Sequence, residues 1–106
     1  MKATKPPTTR AGRTHKIMVG KVRCYITVNK DAEGRILEVF AKADSGQQGA
    51  MDMVCRMASL ALQGRGSVET IIKHMANDRT PPNGGPGQPS SCFDAISQIL
   101  QRELNA

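Results

Sequence analysis

The sequence has no tryptophan and only three aromatic residues, Tyr25, Phe40 and Phe93. So few rings exclude an aromatic core and are too few for a platform that stacks the bases of single strands. No apolar run approaches the ~20 residues a membrane helix needs. The N-terminal segment MKATKPPTTRAGR also lacks the apolar stretch of a secretory leader. The three cysteines, Cys24, Cys55 and Cys92, are odd in number, widely spaced and without a CxxC pair. That pattern fits neither a disulfide framework nor a zinc site, and leaves buried free thiols in a reducing compartment as the expectation. His15 and His74 stand far apart without HExxH spacing, so no metal centre is expected. A cytoplasmic protein without membrane contact follows from these absences.

Acidic residues are also missing from the first thirty positions. Eight of the fifteen Lys and Arg (Lys2, Lys5, Arg10, Arg13, Lys16, Lys21, Arg23, Lys30) precede the first acid, Asp31, and the whole chain carries +6. A basic cluster of this kind either solvates a tail or faces an anion such as nucleic acid, a nucleotide or a membrane surface. The membrane ranks last, because the segment lacks the interleaved Leu, Phe and Trp of an interfacial helix. With 106 residues the chain makes one domain. Residues 1–11 read as a flexible basic arm and 12–106 as the folded part. So small a chain, with a core of aliphatic, Met and Ala side chains, is expected to complete that core by self-association.

Arg13 to Met18 predicts a first strand ending at Gly20. Val22, Cys24, Ile26 and Val28 then alternate with Arg23, Tyr25 and Thr27, the period-two signature of a half-buried strand. Asn29 to Gly34 is rich in turn formers, and Arg35 to Lys42 completes an antiparallel hairpin. The period changes at Asp44. Ser45 is expected to cap a helix with Gln48 reaching back from its third position, and Ala50, Val54, Met57, Ala58 and Ala61 follow at helical spacing up to Gly64. Met51, Met53 and Met57 read as adaptable core. A short second helix starts at Ser67, with Val68, Ile71, Ile72 and Met75 on one stripe and Lys73 and His74 in its last turn. Thr80 to Ser91 holds four prolines and three glycines in twelve residues and excludes helix and central strand. A third helix follows from Ser91 to Leu104, with Phe93, Ile96, Leu100 and Leu104 on one face. The fold expected is α+β: an antiparallel sheet with two to three helices packed on one face.

No nucleophile elbow, HExxH or paired carboxylates occur, and the Gly-rich stretch lacks the GK[ST] ending of a P-loop. A binding protein that needs no cofactor is therefore expected rather than an enzyme. Two places could take an anion. One is the Gly/Pro loop opening into the third helix, where Gly84 and Gly85 permit close approach and Ser90 and Ser91 add hydroxyls to a positive helix end. The other is Ser45-Gly46-Gln47-Gln48-Gly49. Arg56 and Arg79 could each make a bidentate phosphate contact, or stand as solvated surface arginines. Ser91 and Asp94 could equally form a capping box and nothing more.

Taken together, GRTHKIMVGKVRCYITVNKDAEGRILEVFAKADSG, VCRMASLAL and SSCFDAI resemble a TSCPD domain over about Gly12 to Leu104. The Thr-Ser-Cys-Pro-Asp of that family appears as Ser90-Ser91-Cys92-Phe93-Asp94, with Ser in place of Thr and Phe in place of Pro. The family has two settings. One is a C-terminal appendage of adenosylcobalamin-dependent ribonucleotide reductases. The other is a free-standing phage protein resembling the anti-Thoeris sponges, which sequester cyclic ADP-ribose signals and in some cases cyclic oligonucleotides. The chain's size favours the second setting, acting in the cytoplasm of an infected bacterium. The resemblance further implies a homodimer or higher assembly with ligand near subunit interfaces. A cyclic nucleotide needs arginines for phosphates and planes and amides for bases, types that Arg56, Arg79, Asn83, Ser90, Ser91, Phe93 and Arg102 supply. A reductase-associated regulatory domain and a small nucleic-acid-binding module remain the alternatives, the latter ranking behind.

Overall fold

The computed structural model describes residues 5–6, 8–44 and 46–106. The cap expected of Ser45 and much of the basic arm, Lys2 included, lie outside the described residues. Strands β1 (Ala11–Val19), β2 (Val22–Lys30) and β3 (Ile36–Ala43) precede helices α1 (Gln48–Gln63), α2 (Val68–Met75) and α3 (Cys92–Asn105). The strands form an antiparallel sheet in the order β1-β2-β3, so the chain adopts the α+β class. Gly20 turns β1 into β2 at φ +63°, a conformation that costs glycine nothing. The next turn is held by Asp31, whose carboxylate accepts from Glu33 N (3.0 Å) and Arg35 N (2.8 Å).

Alternation along the strands sorts the side chains to two faces. Val19, Cys24, Ile26, Val28, Val39 and Ala41 are buried beneath the helices, while Tyr25 and Phe40 emerge on the other face. Helix α3 crosses the inner face through Cys92, Ala95, Ile96, Ile99 and Leu100, and α2 packs against α3. The α3 stripe therefore differs from the expected one. Ile96 and Leu100 are buried, but Phe93 is only half-buried and Leu104 is exposed. Buried Cys92 places its Sγ 3.3 Å from that of Cys24, and all three thiols are free. Burial, then the hydrogen bond with Cys92, pushes the Cys24 thiol up to about 12.

Helix α1 closes the free edge of β3. Gln48 Oε1 accepts from Ala43 N (2.8 Å) while its Nε2 donates to Ala41 O (2.9 Å). Ser59 Oγ accepts from Val39 N (3.0 Å) and donates back to Val39 O (3.2 Å). Gln63 Nε2 reaches Leu37 O at 3.4 Å. These side chains satisfy edge groups that a fourth strand would otherwise pair. Gln48 is thus spent on the sheet edge rather than reaching back to cap its own helix, which starts after Gln47. Serving that edge also rotates α1 away from its expected stripe. Met51, Cys55, Ala58, Ser59 and Leu62 face inward, whereas Met53, Met57 and Leu60 are 57%, 62% and 64% exposed. At the helix end Gly64 keeps a negative φ, and Arg65 takes the left-handed conformation (φ +66°).

Candidate ligand site

The loop between α2 and α3 is held from its two ends by two carboxylates. Asp94, in the first turn of α3, accepts from Asn77 N through Oδ1 (2.8 Å) and from Ser90 N through Oδ2 (2.9 Å). Asp78 Oδ2 accepts from Ser91 Oγ (2.9 Å) and Thr80 N (3.0 Å). Burial would raise the Asp78 pKa, but hydrogen bonds from Thr80 and Ser91 outweigh it and hold the carboxyl below its ordinary value. Ser90 Oγ donates to Asp78 O (2.6 Å), and Ser91 Oγ accepts from Asp94 N (3.0 Å) as the helix cap. Both hydroxyls are engaged inside the protein, and Ser91 is fully buried. The anion expected at this helix start would meet the Asp94 carboxylate instead of free donors. Ser91 caps the helix, while Asp94 reaches back to Ser90 N rather than to the N–H of the cap residue itself.

The middle of the loop is cross-tied as well. Asn83 Nδ2 donates to Arg79 O (2.9 Å) and Ser90 O (3.1 Å). Gly84 must be glycine, because a Cβ there would collide with the Pro89 carbonyl oxygen. Gln88 Oε1 accepts from both Gly85 N (2.9 Å) and Gly20 N (2.7 Å), tying the loop to the β1–β2 turn. Gln47 Nε2 donates to Pro81 O (2.9 Å), which sets the loop beside the start of α1. The two stretches singled out as anion sites therefore meet at one end of the molecule.

Of the expected site residues, Arg79, Asn83, Gly84, Gly85, Ser90 and Ser91 share this loop. Asn83, Ser90 and Ser91 shape it with their own polar atoms, and Phe93 packs against the core. Arg56 is exposed on α1, and Arg102 is exposed near the far end of α3. Eleven helical steps separate Arg102 from Ser91, about 16 Å, so one chain does not bring Arg102 to the loop. Arg56, Arg79 and Arg102 have no carboxylate partner among the described residues.

A different charge cluster occupies the opposite end, and sequence reasoning did not find it. Glu103 of α3, 3% exposed, accepts from Arg13 Nε (2.9 Å) and sits 2.6 Å from His15 Nε2 and 3.3 Å from Lys30 Nζ. Lys30 Nζ also donates to Glu103 O at 2.8 Å. Burial would raise the Glu103 pKa, but the bonds from His15, Arg13 and Lys30 outweigh it and keep the carboxylate ionised. An ionised carboxylate only accepts, so His15 Nε2 carries the proton of that bond. The signal in the sequence was a lone acid at helical spacing from Ile96, Ile99 and Leu100. No three His, Cys, Asp or Glu among the described residues cluster in a way that would hold a metal.

These features define a small α+β domain whose Ser-Cys-x-Asp segment buttons a Pro/Gly loop onto the last helix. A family model for the TSCPD domain matches residues 1–104, and the chain belongs to that family. A search of curated proteins found no match, and neither did a search of solved structures. No helix of the described residues is long and apolar enough to cross a membrane.

Proposed function

We propose that the chain binds and sequesters a cyclic nucleotide signal, a cyclic ADP-ribose isomer or a cyclic oligonucleotide, and releases it chemically intact. In this reading it works in the cytoplasm of a phage-infected bacterium. One observation carries the proposal. Arg79 is exposed and unpaired among the described residues, at the root of a loop cross-tied by its own side chains and set beside the start of α1. A cross-tied backbone at Arg79 removes the loop's share of the ordering cost when the guanidinium takes a phosphate. Gly46 and Gly49 add open backbone at the positive end of α1, with nothing within 4 Å of where a Cβ would stand. Arg56 is exposed further along α1, between Met53 and Leu60. Asn83, Ser90 and Ser91 act here as the frame.

Calorimetry with cyclic ADP-ribose isomers and cyclic oligonucleotides tests the reading, followed by recovery of the ligand from denatured protein. Arg79→Ala should weaken binding roughly ten- to hundredfold, since one charge-assisted contact is worth ~1.5–3 kcal/mol, while the melting temperature holds. A hydrolysed product, or unchanged affinity in that variant, would overturn it.

The working form in this proposal is a homodimer or an assembly of dimers. Its support is the apolar stripe on the outer side of α1, where Met53, Met57 and Leu60 stand in solvent at helical spacing. Light scattering should give a multiple of 11.4 kDa for the parent protein and a smaller particle for Met57→Glu. A parent that scatters as a single chain at micromolar concentration speaks against the assembly.

A further inference from the structure

None of the described helices covers the face of the sheet turned away from them, and it gathers two of the chain's three aromatic rings. Tyr25 is 40% exposed and Phe40 is 45% exposed. Tyr25 lies opposite Lys16 on one side and Lys42 on the other, and Thr27 lies opposite Phe40. The rings are thus diagonal neighbours on adjacent strands, within reach of one another's bound groups. We infer that this open face, built on Tyr25 and Phe40 between Lys16 and Lys42, binds single-stranded nucleic acid.

The charge on the face carries the choice of partner. Its acids are already neutralised: Glu38 pairs with Arg10 at 2.9 Å, and Asp44 pairs with Arg23 at 2.9 Å. Lys16 and Lys42 have no carboxylate partner among the described residues, so the surface presents net positive charge around an aromatic centre. Adjacent strands are ~4.8 Å apart, which places the two lysine backbones about 10 Å from each other across Tyr25. A base laid on the tyrosine ring would then have an ammonium on either flank for the phosphates before and after it. Stacking on exposed rings with cations alongside is the general recipe for holding unpaired bases without reading their sequence. Arg23, Tyr25, Lys42, Ala43 and Asp44 also line a shallow depression of ≈ 400 Å³ at the end of this face. A second copy of the chain fits less well, because a two-fold contact here would set the two lysine rows against each other. A duplex offers no free base faces to the rings.

The residues involved are separate from the Arg79 loop, so the inference stands or falls independently of the proposed cyclic-nucleotide site. Fluorescence anisotropy with labelled oligothymidine and oligouridine strands, at low and at physiological salt, tests it. The parent protein should bind both strands more tightly than a duplex of equal length. Tyr25→Ala and Phe40→Ala should each weaken binding roughly five- to hundredfold, the range of one lost base stack. Lys16→Gln and Lys42→Gln should each reduce the slope of log affinity against log salt by about 0.7. Arg79→Ala should leave strand binding unchanged. All four sheet-face side chains are on the face turned away from the helices, and a melting curve checks that the variants fold. Absence of binding at low salt, equal affinity for duplex, or retained affinity in Tyr25→Ala with Phe40→Ala overturns the inference. A lower molecular mass for Tyr25→Ala in light scattering also overturns it, by making the face an interface between copies.

Discussion

Glu103→Ala is expected to lower the stability of the fold by about 3 kcal/mol, and the melting temperature by some ~10–20 °C. The reason is the number of hydrogen-bond donors that converge on one buried carboxylate. Arg13 and His15 come from β1, Lys30 comes from the end of β2, and all meet Glu103 on α3. Removing the acid leaves three donors facing one another at the sheet–helix contact, where the His15 and Lys30 side chains are mostly covered and only Arg13 reaches well into solvent. For a domain whose total stability is about 5–15 kcal/mol, that is a large fraction. Glu103→Gln keeps the shape and one acceptor, and should cost less. Acid should imitate the mutation. The Glu103 pKa is lowered in the folded state, so its contribution is present above the ordinary value of 4.5 and is lost as pH falls through the lower native value. Asp78, also lowered, adds to the same acid limb. Urea unfolding of parent and Glu103→Gln at neutral pH and near pH ~3 should show their difference shrinking on acidification. A difference that persists undiminished in acid would remove the electrostatic account of this cluster.

The strands were legible because β-branched residues alternate with polar ones over a full strand length, and tertiary packing has no reason to oppose that period. The start of α3 was legible for a local reason too: a cap and its partner lie three residues apart, within one turn. What escaped the sequence was long-range. The buried face of α1 includes Ser59 and is flanked by Gln48 and Gln63, residues that a hydrophobic pattern counts as solvent-facing. Their role appears only once the edge of β3 lies alongside, offering carbonyls and amides for them to bond. Ser90 and Ser91 looked like free donors because Asp78, which takes bonds from both, lies twelve and thirteen residues earlier. The same holds for Tyr25 and Phe40. Fifteen positions apart in the chain, they become neighbours only through the register of β2 and β3, which a count of aromatics does not show. Arg102 was grouped with the loop by residue type, and the length of α3 parts them.

Asp94→Ala should be comparably damaging, by about 3 kcal/mol, and it tests what the Ser-Cys-x-Asp segment is for. The carboxylate accepts from the backbone N–H groups of Asn77 and Ser90, which are the two ends of the Pro/Gly loop, and from Gln98 Nε2 at 3.1 Å. It is 5% exposed, so alanine would leave two part-buried amides without their acceptor. It would also remove a negative charge from the positive end of α3, a loss of ~0.3–1 kcal/mol. Asp94→Asn keeps one carbonyl acceptor and turns the other oxygen into a donor facing an N–H, so it should fall between parent and alanine. Asn77 takes a left-handed backbone (φ +63°) to reach the carboxylate, and that strain has no reward once the acceptor is gone. Hydrogen exchange should therefore accelerate at Asn77 and Ser90 before it does in the sheet, and protease should cut between residues 79 and 90 sooner than in the parent. Loosening the loop would also release Arg79 from its fixed position, so affinity for a cyclic nucleotide should drop together with stability. The two readouts separate the roles. A variant that binds poorly yet unfolds at the parent's denaturant midpoint would make Asp94 a group that meets the ligand, and the loop-fastening role given to it here would fail.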